Sequence, residues 1–254
     1  TWEKILYINE KIGAVDLVMD PEDHNIIYAS MWNRVRRRWS DPMPGPGDGI
    51  FKTTDGGGKW EQKTKGLPDT NLTGRIGLDV ARSNPKVVYA FIDNHNLGRM
   101  AGEGERDAYG RLKQGPQIVG AEVYRSDDKG ETWRKVSPEN RMMEGFGGTY
   151  GWVFGQIRVD PNDENIIYIM GLSLAKSTDG GKTFNALYYP ELHGDHHGLW
   201  IDPDDSNYLI NVNDGGVNIS YDGGETWRNF HTNHPVVQFY NVAYDMNDPF
   251  NIYG

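Results

Sequence analysis

Residues 220–227 read Ser-Tyr-Asp-Gly-Gly-Glu-Thr-Trp, one of four copies of the pattern Ser/Thr-x-Asp-x-Gly-x-Thr/Lys-Trp/Phe. The other copies occupy residues 53–60, 126–133 and 177–184. The Asp at the third position can accept backbone N–H groups within its own turn, and Gly supplies the positive φ that a chain reversal needs. Each copy therefore predicts a tight β-hairpin turn. The structural residues of these turns are Asp55, Asp128, Asp179 and Asp222.

A second sequence marker precedes these eight-residue patterns, which we call octets. Asp20-Pro21 and Asp160-Pro161 are each followed, eight residues after the Asp, by a Tyr that ends a short apolar run. Short or alternating apolar runs bounded by Gly, Pro, Asn and Asp are strand signals. Four such strands recur in units of roughly 40 to 70 residues, a period typical of β-propellers. The sequence therefore predicts an all-β fold, a β-propeller of four-stranded blades.

The same markers set the expected limits of the blades. Complete blades are expected at residues 12–67, 68–137, 138–189 and 190–230. Residues 1–11 match the last strand of a preceding blade, and residues 231–254 match the start of the next. The chain is expected to be a segment of a larger propeller, in contact with the remaining domains of its parent chain. The alternative is a small five-bladed propeller closed by pairing of its ends.

The composition limits the classes of function. The 254 residues include no Cys, which rules out a disulfide framework, and the net charge of −10 argues against a nucleic-acid-binding surface. No apolar run approaches the roughly 18 residues needed to span a bilayer. Signatures of serine hydrolases, zinc proteases and phosphate-binding loops are missing from the sequence, and no cofactor is expected.

The octets resemble the Asp boxes, or BNR repeats, of sialidases, xyloglucanase-type glycoside hydrolases and sortilin (VPS10) domains. The whole chain resembles bacterial sortilin-like BNR-repeat proteins often labelled "glycosyl hydrolase", most closely at residues 13–21, 74–78 and 193–203. The resemblance implies a β-propeller on a large exported protein, and hence an extracellular, periplasmic or cell-surface location. It leaves the activity open, because these boxes occur in hydrolases and in non-enzymes alike.

The expected topology sorts the loops between two faces. Loops between second and third strands, and loops from one blade to the next, share the face opposite the Asp turns. All the long insertions fall there, at residues 30–48, 93–120 and 138–150, and we call it the long-loop face. Long loops on one side of a rigid scaffold are where binding usually resides.

The densest polar group on that face is His193, Asp195 and His196. Such side chains can ligate a divalent metal or act as an acid and base pair. Because neighbouring residues of a strand point to opposite faces, His196 and His197 cannot both converge on one site. In the plainer interpretation, these polar side chains cap the innermost strand of the blade and line the water-filled channel along the propeller axis. A substrate site and a metal site are the alternatives.

Asp214 has a separate claim to function. Residues 213–217, Asn-Asp-Gly-Gly-Val, resemble the segment that holds a catalytic carboxylate in xyloglucanase-type enzymes. Glycoside hydrolysis needs two carboxylates across the scissile bond, and Asp195 is the nearest candidate for the second one. Further candidates on the long loop are Glu103, Glu105 and Asp107. Asp-Gly-Gly is also ordinary turn chemistry, which is the alternative.

Aromatic and basic residues on the long loops are the candidates for ligand binding. Residues 31–39 form a basic run between Trp32 and Trp39, with Arg36 inside it. Arg and Trp together suit carboxylates, phosphates or stacked sugars, and a solvated loop against a neighbouring domain is the alternative. Tyr150 lies at a crossing between blades, where packing is the plainer role and a sugar subsite the other.

Three functional hypotheses follow. The favoured one is recognition of a glycan or a protein segment on the long-loop face. Its binding residues are Trp32, Arg36, Trp39, Tyr150, His193 and His196. The main alternative is a glycoside hydrolase, closer to xyloglucanases than to sialidases, with Asp214 and Asp195 as its carboxylates. The third is a structural propeller in a cell-surface or secretion assembly.

Overall fold

The structure is a computed structural model that describes residues 1–37, 43–107, 110–147, 154–230 and 241–253. Apart from a short helix, α1 (Arg141–Gly147), and a 3-10 turn at Thr70–Leu72, the regular structure of these residues is β-sheet. Four sheets have four antiparallel strands each, and a fifth sheet has two. Helix α1 is too short to cross a bilayer, and the part of the chain described here holds no other helix that could.

Each four-stranded sheet is built from strands consecutive in the chain, with its first strand at one edge and its fourth at the other. The first sheet contains β1 (Ile12–Met19), β2 (Ile27–Asn33), β3 (Gly49–Thr53) and β4 (Glu61–Lys63). The second contains β5 (Thr73–Val80), β6 (Val88–Met100), β7 (Pro116–Ser126) and β8 (Arg134–Lys135). The third contains β9 (Gln156–Val159), β10 (Ile167–Met170), β11 (Leu174–Ser177) and β12 (Asn185–Ala186). The fourth contains β13 (His196–Ile201), β14 (Leu209–Asn213), β15 (Gly216–Ser220) and β16 (Arg228–Asn229).

Successive sheets pack side by side around their first strands. Strand β1 contacts β5, β5 contacts β9, and β9 contacts β13. Buried apolar clusters fill the spaces between neighbouring sheets, with the fully buried Tyr28, Tyr89 and Tyr168 in one space each. Consecutive four-stranded sheets packed in this way are the blades of a β-propeller, and the predicted fold class is confirmed.

The octets form the turns between the third and fourth strands. In the fourth sheet, Asp222 Oδ1 accepts the backbone N–H of Thr226 at 2.9 Å and the hydroxyl of Ser220 at 2.8 Å. The Ser220 oxygen in turn accepts the N–H of Gly224 at 2.8 Å, and the Trp227 indole N–H donates to the Gly224 carbonyl at 3.0 Å. The other octets repeat the bonds of the Asp and of the Ser or Thr. All these partners lie within eight residues, so the local sequence is sufficient to define each turn.

Tyrosines link each blade to the next. The hydroxyl of Tyr28 donates to the carbonyl oxygen of Lys129, 2.9 Å away in the octet of the second sheet. Tyr168 donates to the carbonyl of Gly223, 3.3 Å away at the same position of the fourth octet. Tyr89 donates to the Asp-Pro turn of the third sheet at 2.9 Å. Burial of each ring therefore comes with a partner for its hydroxyl, as a buried Tyr requires.

The two ends of the chain differ from the complete blades. The sequence predicts a strand at residues 3–7, but residues 1–11 form none. Leu6 and Ile8 instead pack against buried apolar residues of the first sheet, so this segment is held by side-chain contacts rather than by a strand ladder. Near the other end, β17 (Ala243–Tyr244) pairs with β18 (Ile252–Tyr253) to form the two-stranded sheet.

Candidate functional site

The long-loop face is the side on which the first strand of each sheet begins. It carries the connection between β2 and β3, helix α1 between β8 and β9, and the far end of the β6–β7 hairpin. The sequence predicts a loop at residues 93–120, but β6 continues to Met100 and β7 starts at Pro116. The two ends of the insertion therefore form a two-stranded arm, because their backbone continues the ladder of the sheet with shifts of register at Asn94 and Leu97.

Asp214 and His197 form an exposed pair at this face. Asp214 lies in the turn between β14 and β15, and its Oδ1 is 2.7 Å from His197 Nε2. Both side chains are about half exposed, at 55% and 50%. His197 reaches this position because the register of β13 shifts between His196 and Gly198, which turns the extra residue out of the regular ladder. An exposed carboxylate bonded to an imidazole is able to bind a hydroxyl group or to transfer a proton.

Two residues of the third blade hold His197 in place. Gln156 Nε2 donates to the carbonyl oxygen of His197 at 2.6 Å. The ring of Phe154 packs against the imidazole with 5.2 Å between the ring centroids, and Phe154 itself is buried. Contacts to the backbone and to the ring together fix the orientation of the imidazole relative to Asp214.

His196 points away from this pair into a buried polar network. It is 3% exposed, and its Nδ1 is 2.9 Å from Asn211 Oδ1. Side-chain amide bonds of 2.9 Å and 2.8 Å continue from Asn211 to Asn213 and from Asn213 to Asn218. Burial lowers the pKa of His196, so its imidazole is neutral at pH 7. Sequence reasoning missed this network, although Asn211 and Asn213 share one face of β14.

The residues predicted to bind a metal do not converge. His193 is exposed and its Nδ1 is 3.0 Å from the carbonyl oxygen of Gly194, whereas His196 is bonded to Asn211. Asp195 has a φ of 61°, a left-handed conformation just before β13. Across the described ranges, no group of three or more His, Cys, Asp or Glu side chains is placed to hold a metal ion. The alternation of side chains along the strand separates the predicted ligands.

A second pair of Asp and His lies on β6, and sequence reasoning missed it. Asp93 Oδ2 is 3.0 Å from His95 Nε2, and Asp93 is 8% exposed. Its other oxygen is buried without a hydrogen-bond partner among the residues that the structure describes. A Cβ on Gly74 would meet Asp93 Oδ2 at 3.0 Å and His95 Nε2 at 3.1 Å, so a larger residue here would have to displace the pair slightly. The spacing of two residues on a strand is the signal that indicates such a pair.

The acidic residues of the long loop serve the β6–β7 arm. Glu105, with a side chain only 11% exposed, accepts from the guanidinium of Arg99 at 2.6 Å. Hydrogen bonding to Arg99 holds the pKa of Glu105 well below its usual value. Asp107 forms an ion pair of 2.7 Å with Arg111, and Glu103 is exposed in the same arm. Glu105 and Asp107 are therefore committed to ion pairs within the arm, which argues against the predicted role as a second catalytic carboxylate.

Of the predicted aromatic and basic ligand-binding residues, the structure describes Trp32 and Arg36. Trp32 lies in β2 and is 3% exposed, so its indole packs inside the blade and offers no surface on which a ligand could stack. Arg36 is exposed beyond the end of β2. Trp39 and Tyr150 lie outside the described residues.

Two curated relatives are similar in sequence. The chain is 30% identical to the oligoxyloglucan-reducing end-specific xyloglucanase of Emericella nidulans over 141 residues, which are 54% of this chain and 14% of that protein. It is 25% identical to xyloglucanase Xgh74A of Acetivibrio thermocellus over 244 residues, covering 85% of this chain and 24% of that protein. The chain thus spans a quarter or less of the length of these relatives. No protein-family model matches it.

Two solved structures are similar in fold. The GH74 xyloglucanase from Xanthomonas campestris superposes with a TM-score of 0.54 at 18% identity, over 85% of this chain and 30% of that chain. An ancestral GH74 enzyme superposes with a TM-score of 0.53 at 15% identity, over 85% of this chain and 26% of that chain. The blades define a β-propeller, and this propeller is similar in sequence and fold to parts of proteins named as xyloglucanases.

Proposed function

We propose that this chain contributes part of the glycan-binding site of an extracellular glycoside hydrolase, with Asp214 as one of the two catalytic carboxylates. The observation that carries the proposal is the pair of Asp214 and His197, half exposed at the long-loop face and oriented by residues of the neighbouring blade. The similarity to proteins named as xyloglucanases supports the same class of chemistry.

Asp214 has one carboxylate oxygen held and the other available. Oδ1 is bonded to His197 Nε2 in the tautomer that carries the proton on that nitrogen, which fixes the plane of the carboxylate. Oδ2 has no partner within the described part of the chain, and the side chain is half exposed. An oxygen presented in this way can take a proton from a water molecule or attack an anomeric carbon.

Asp195 is our candidate for the second carboxylate. The ladder between β13 and β14 ends with His196 paired to Asn213, so Asp195 and Asp214 both adjoin the same end of this ladder. The carboxyl groups of glycosidases are separated by about 5 Å in retaining enzymes and by up to about 9 Å in inverting ones. The end of this ladder is therefore a suitable place for both carboxylates.

Recognition of a glycan without hydrolysis is the second candidate function. It is favoured by the hydrogen bonds that join His196, Asn211 and Asn213 to one another. These buried side chains stabilise the blade and do not contact a substrate. On this alternative, the exposed Asp214 and His197 bind hydroxyl groups of a sugar and transfer no proton.

The test compares the full-length parent protein with its Asp214→Asn variant in a screen of neutral and acidic polysaccharides. Asp204→Asn is the matched control, since Asp204 is an exposed carboxylate on the opposite rim. We expect release of reducing ends to fall by about 100-fold or more in Asp214→Asn, with binding retained, and to be unchanged in Asp204→Asn. Binding without release by the wild type would establish recognition instead, and an unimpaired Asp214→Asn variant would reject the proposal.

A further inference from the structure

A cleft of about 170 Å³ lies on the rim opposite the long-loop face. It is formed at the ends of β5, β9 and β13, where these first strands run into the next turn. Asp79, Arg158 and Trp200 are each the second-last residue of their strand, so the same position of three successive blades lines one space. Arg82 and Pro161 complete the polar and apolar parts of its wall.

The two guanidinium groups of this cleft lack the ion pairs that other arginines of the chain make. Arg99, Arg125 and Arg134 each have a carboxylate oxygen within 3.0 Å. Among the described residues, neither Arg82 nor Arg158 has an ion pair, and Arg158 donates only to the carbonyl oxygen of Ile157, at 2.6 Å. Most of the donors of two guanidinium groups are therefore left for a ligand.

Asp79, whose carboxylate is attracted to Arg158, offsets only one of the two positive charges. Its Oδ1 accepts the N–H of Val80 at 3.0 Å and its Oδ2 accepts the N–H of Val159 at 2.8 Å, so both oxygens are bound to the backbone. Burial raises the pKa of Asp79 to about 6, and at pH 7 the group is largely ionised. Two arginines and one carboxylate leave the cleft with a net positive charge, which favours an anion.

Trp200 supplies a flat apolar surface beside these donors. Its side chain is 48% exposed, although it lies on the first strand of its blade. Tyr208 holds it edge to face, with 6.0 Å between the ring centroids and 85° between the planes. A half-exposed indole with a fixed orientation suits the face of a sugar ring, because ordering it costs little side-chain entropy.

We propose that this cleft binds a uronic acid residue of a glycan, with the sugar carboxylate at Arg82 and Arg158 and the ring against Trp200. A planar guanidinium binds a carboxylate through parallel hydrogen bonds, which a simple inorganic anion or a neutral sugar cannot reproduce together with stacking. The cleft and the pair of Asp214 and His197 lie on opposite faces, so the uronate site does not depend on hydrolysis at the long-loop face.

The experiment is a calorimetric titration of the full-length protein with trigalacturonate, with cellotriose as the neutral sugar and acetate as the simple carboxylate. We expect trigalacturonate to bind, and Arg82→Gln and Trp200→Ala each to weaken this binding at least tenfold without changing the affinity for cellotriose at the long-loop face. Arg134→Gln, at an exposed arginine of β8, is the matched control and leaves the affinity unchanged. Melting temperatures close to that of the wild type show that the variants are folded.

Three outcomes would overturn the proposal. Absence of trigalacturonate binding rejects the site, and binding that survives both Arg82→Gln and Trp200→Ala places the ligand elsewhere. Competition by acetate at the same concentration reveals a charge effect without recognition of the sugar. Because the readout is binding to the opposite rim, these results are separate from any gain or loss of reducing-end release in the Asp214→Asn variant.

Discussion

Lys129 allows a direct test of what holds one blade to the next. It occupies the fourth position of the octet at residues 126–133, where the other octets have glycine. Its φ of 57° is left-handed, a conformation that costs an L-residue about 1 kcal/mol or more. Its Nζ is 2.7 Å from Oδ2 of Asp20, a carboxylate of the preceding blade that has no exposed surface. The structure thus places a strained residue where its ammonium can pair with a buried carboxylate.

Replacement of Lys129 separates the ion pair from the strain. Lys129→Met keeps the stem and the φ but leaves Asp20 Oδ2 unpaired, and a lost hydrogen bond to a charged group destabilises by about 1.5–3 kcal/mol. Because the Lys129 side chain is 29% exposed, and water can replace part of its interaction, we expect a loss of about 2 kcal/mol. Lys129→Gly loses the same pair but is relieved of the left-handed strain, so we expect a loss of about 1 kcal/mol.

The loss should depend on pH in a defined direction. Burial by itself raises the pKa of Asp20, but the bond to Lys129 and the N–H groups of Glu22 and Asp23 outweigh it and lower the pKa below the usual value. A lowered pKa stabilises the folded state fully above the unfolded value of about 4, and the contribution is lost as the pH falls through the folded value. The difference between the wild type and Lys129→Met should therefore be largest near pH 7 and shrink below pH 4.

The assay is urea unfolding of wild type, Lys129→Met and Lys129→Gly at pH 7 and at a series of acid pH values. Lys182→Met is the control, since Lys182 is an exposed lysine of another octet. A Lys129→Met variant as stable as the wild type would refute the role of the ion pair. If the difference in the free energy of unfolding between wild type and Lys129→Met stays constant down to pH 3, the loss of stability does not come from Asp20. Equal losses for Lys129→Met and Lys129→Gly would show that the left-handed φ of Lys129 costs no stability.

The remaining predictions concern the octet of the fourth sheet. Asp160 starts the Asp-Pro turn of the third sheet, as Asp20 does in the first sheet. Unlike Asp20, it has a buried Oδ2 without a hydrogen-bond partner in the described ranges. The octet of the fourth sheet has Gly223 at the position of Lys129. Gly223→Lys should nevertheless lower the free energy of unfolding by about 1 kcal/mol, because its φ of 68° is left-handed and its Cβ would lie 3.0 Å from Lys176 Nζ. Asp222→Ala, which removes the acceptor of Thr226, should lower the free energy of unfolding by about 2 kcal/mol in the same urea assay. An Asp222→Ala variant as stable as the wild type would contradict the role of the carboxylate in the turn.

The sequence predicts the turns well and the site poorly, for a physical reason. Every bond of an octet joins residues at most four positions apart, such as Asp222 and Thr226, so the pattern alone contains the interaction. The pair of Asp214 and His197 joins residues 17 positions apart and depends on a shift of register in β13. An extra residue reverses the phase of the inside–outside alternation beyond it, and β13, with six residues, is too short for this change to be recognised in the sequence.

Two other sequence predictions, for Trp32 and for the segment after β6, were wrong because the tertiary contacts of these residues cannot be recognised in the sequence. A Trp next to four basic residues suggests a stacking surface, yet Trp32 lies on β2 with its indole inside the blade. The long loop after β6 reads as irregular because it contains Asn, Gly and Arg, but its backbone continues the ladder as a two-stranded arm. In both places the tertiary context overrides the local preference of the residues.

The internal repeat itself separates structural from functional positions. Eight residues after the Asp of the Asp-Pro turn, the first and third blades both have Tyr, and the second has Tyr89 at the corresponding place. Each of these rings is buried and bonded to the next blade, so a constant residue accompanies a constant contact. The second-last position of the first strand behaves in the opposite way, because it is Asp79, Arg158 and Trp200 in three successive blades. The contact at this position varies with the residue, because Asp79 binds the backbone of the next blade, whereas Arg158 and Trp200 line the cleft and leave polar and apolar surface to a ligand.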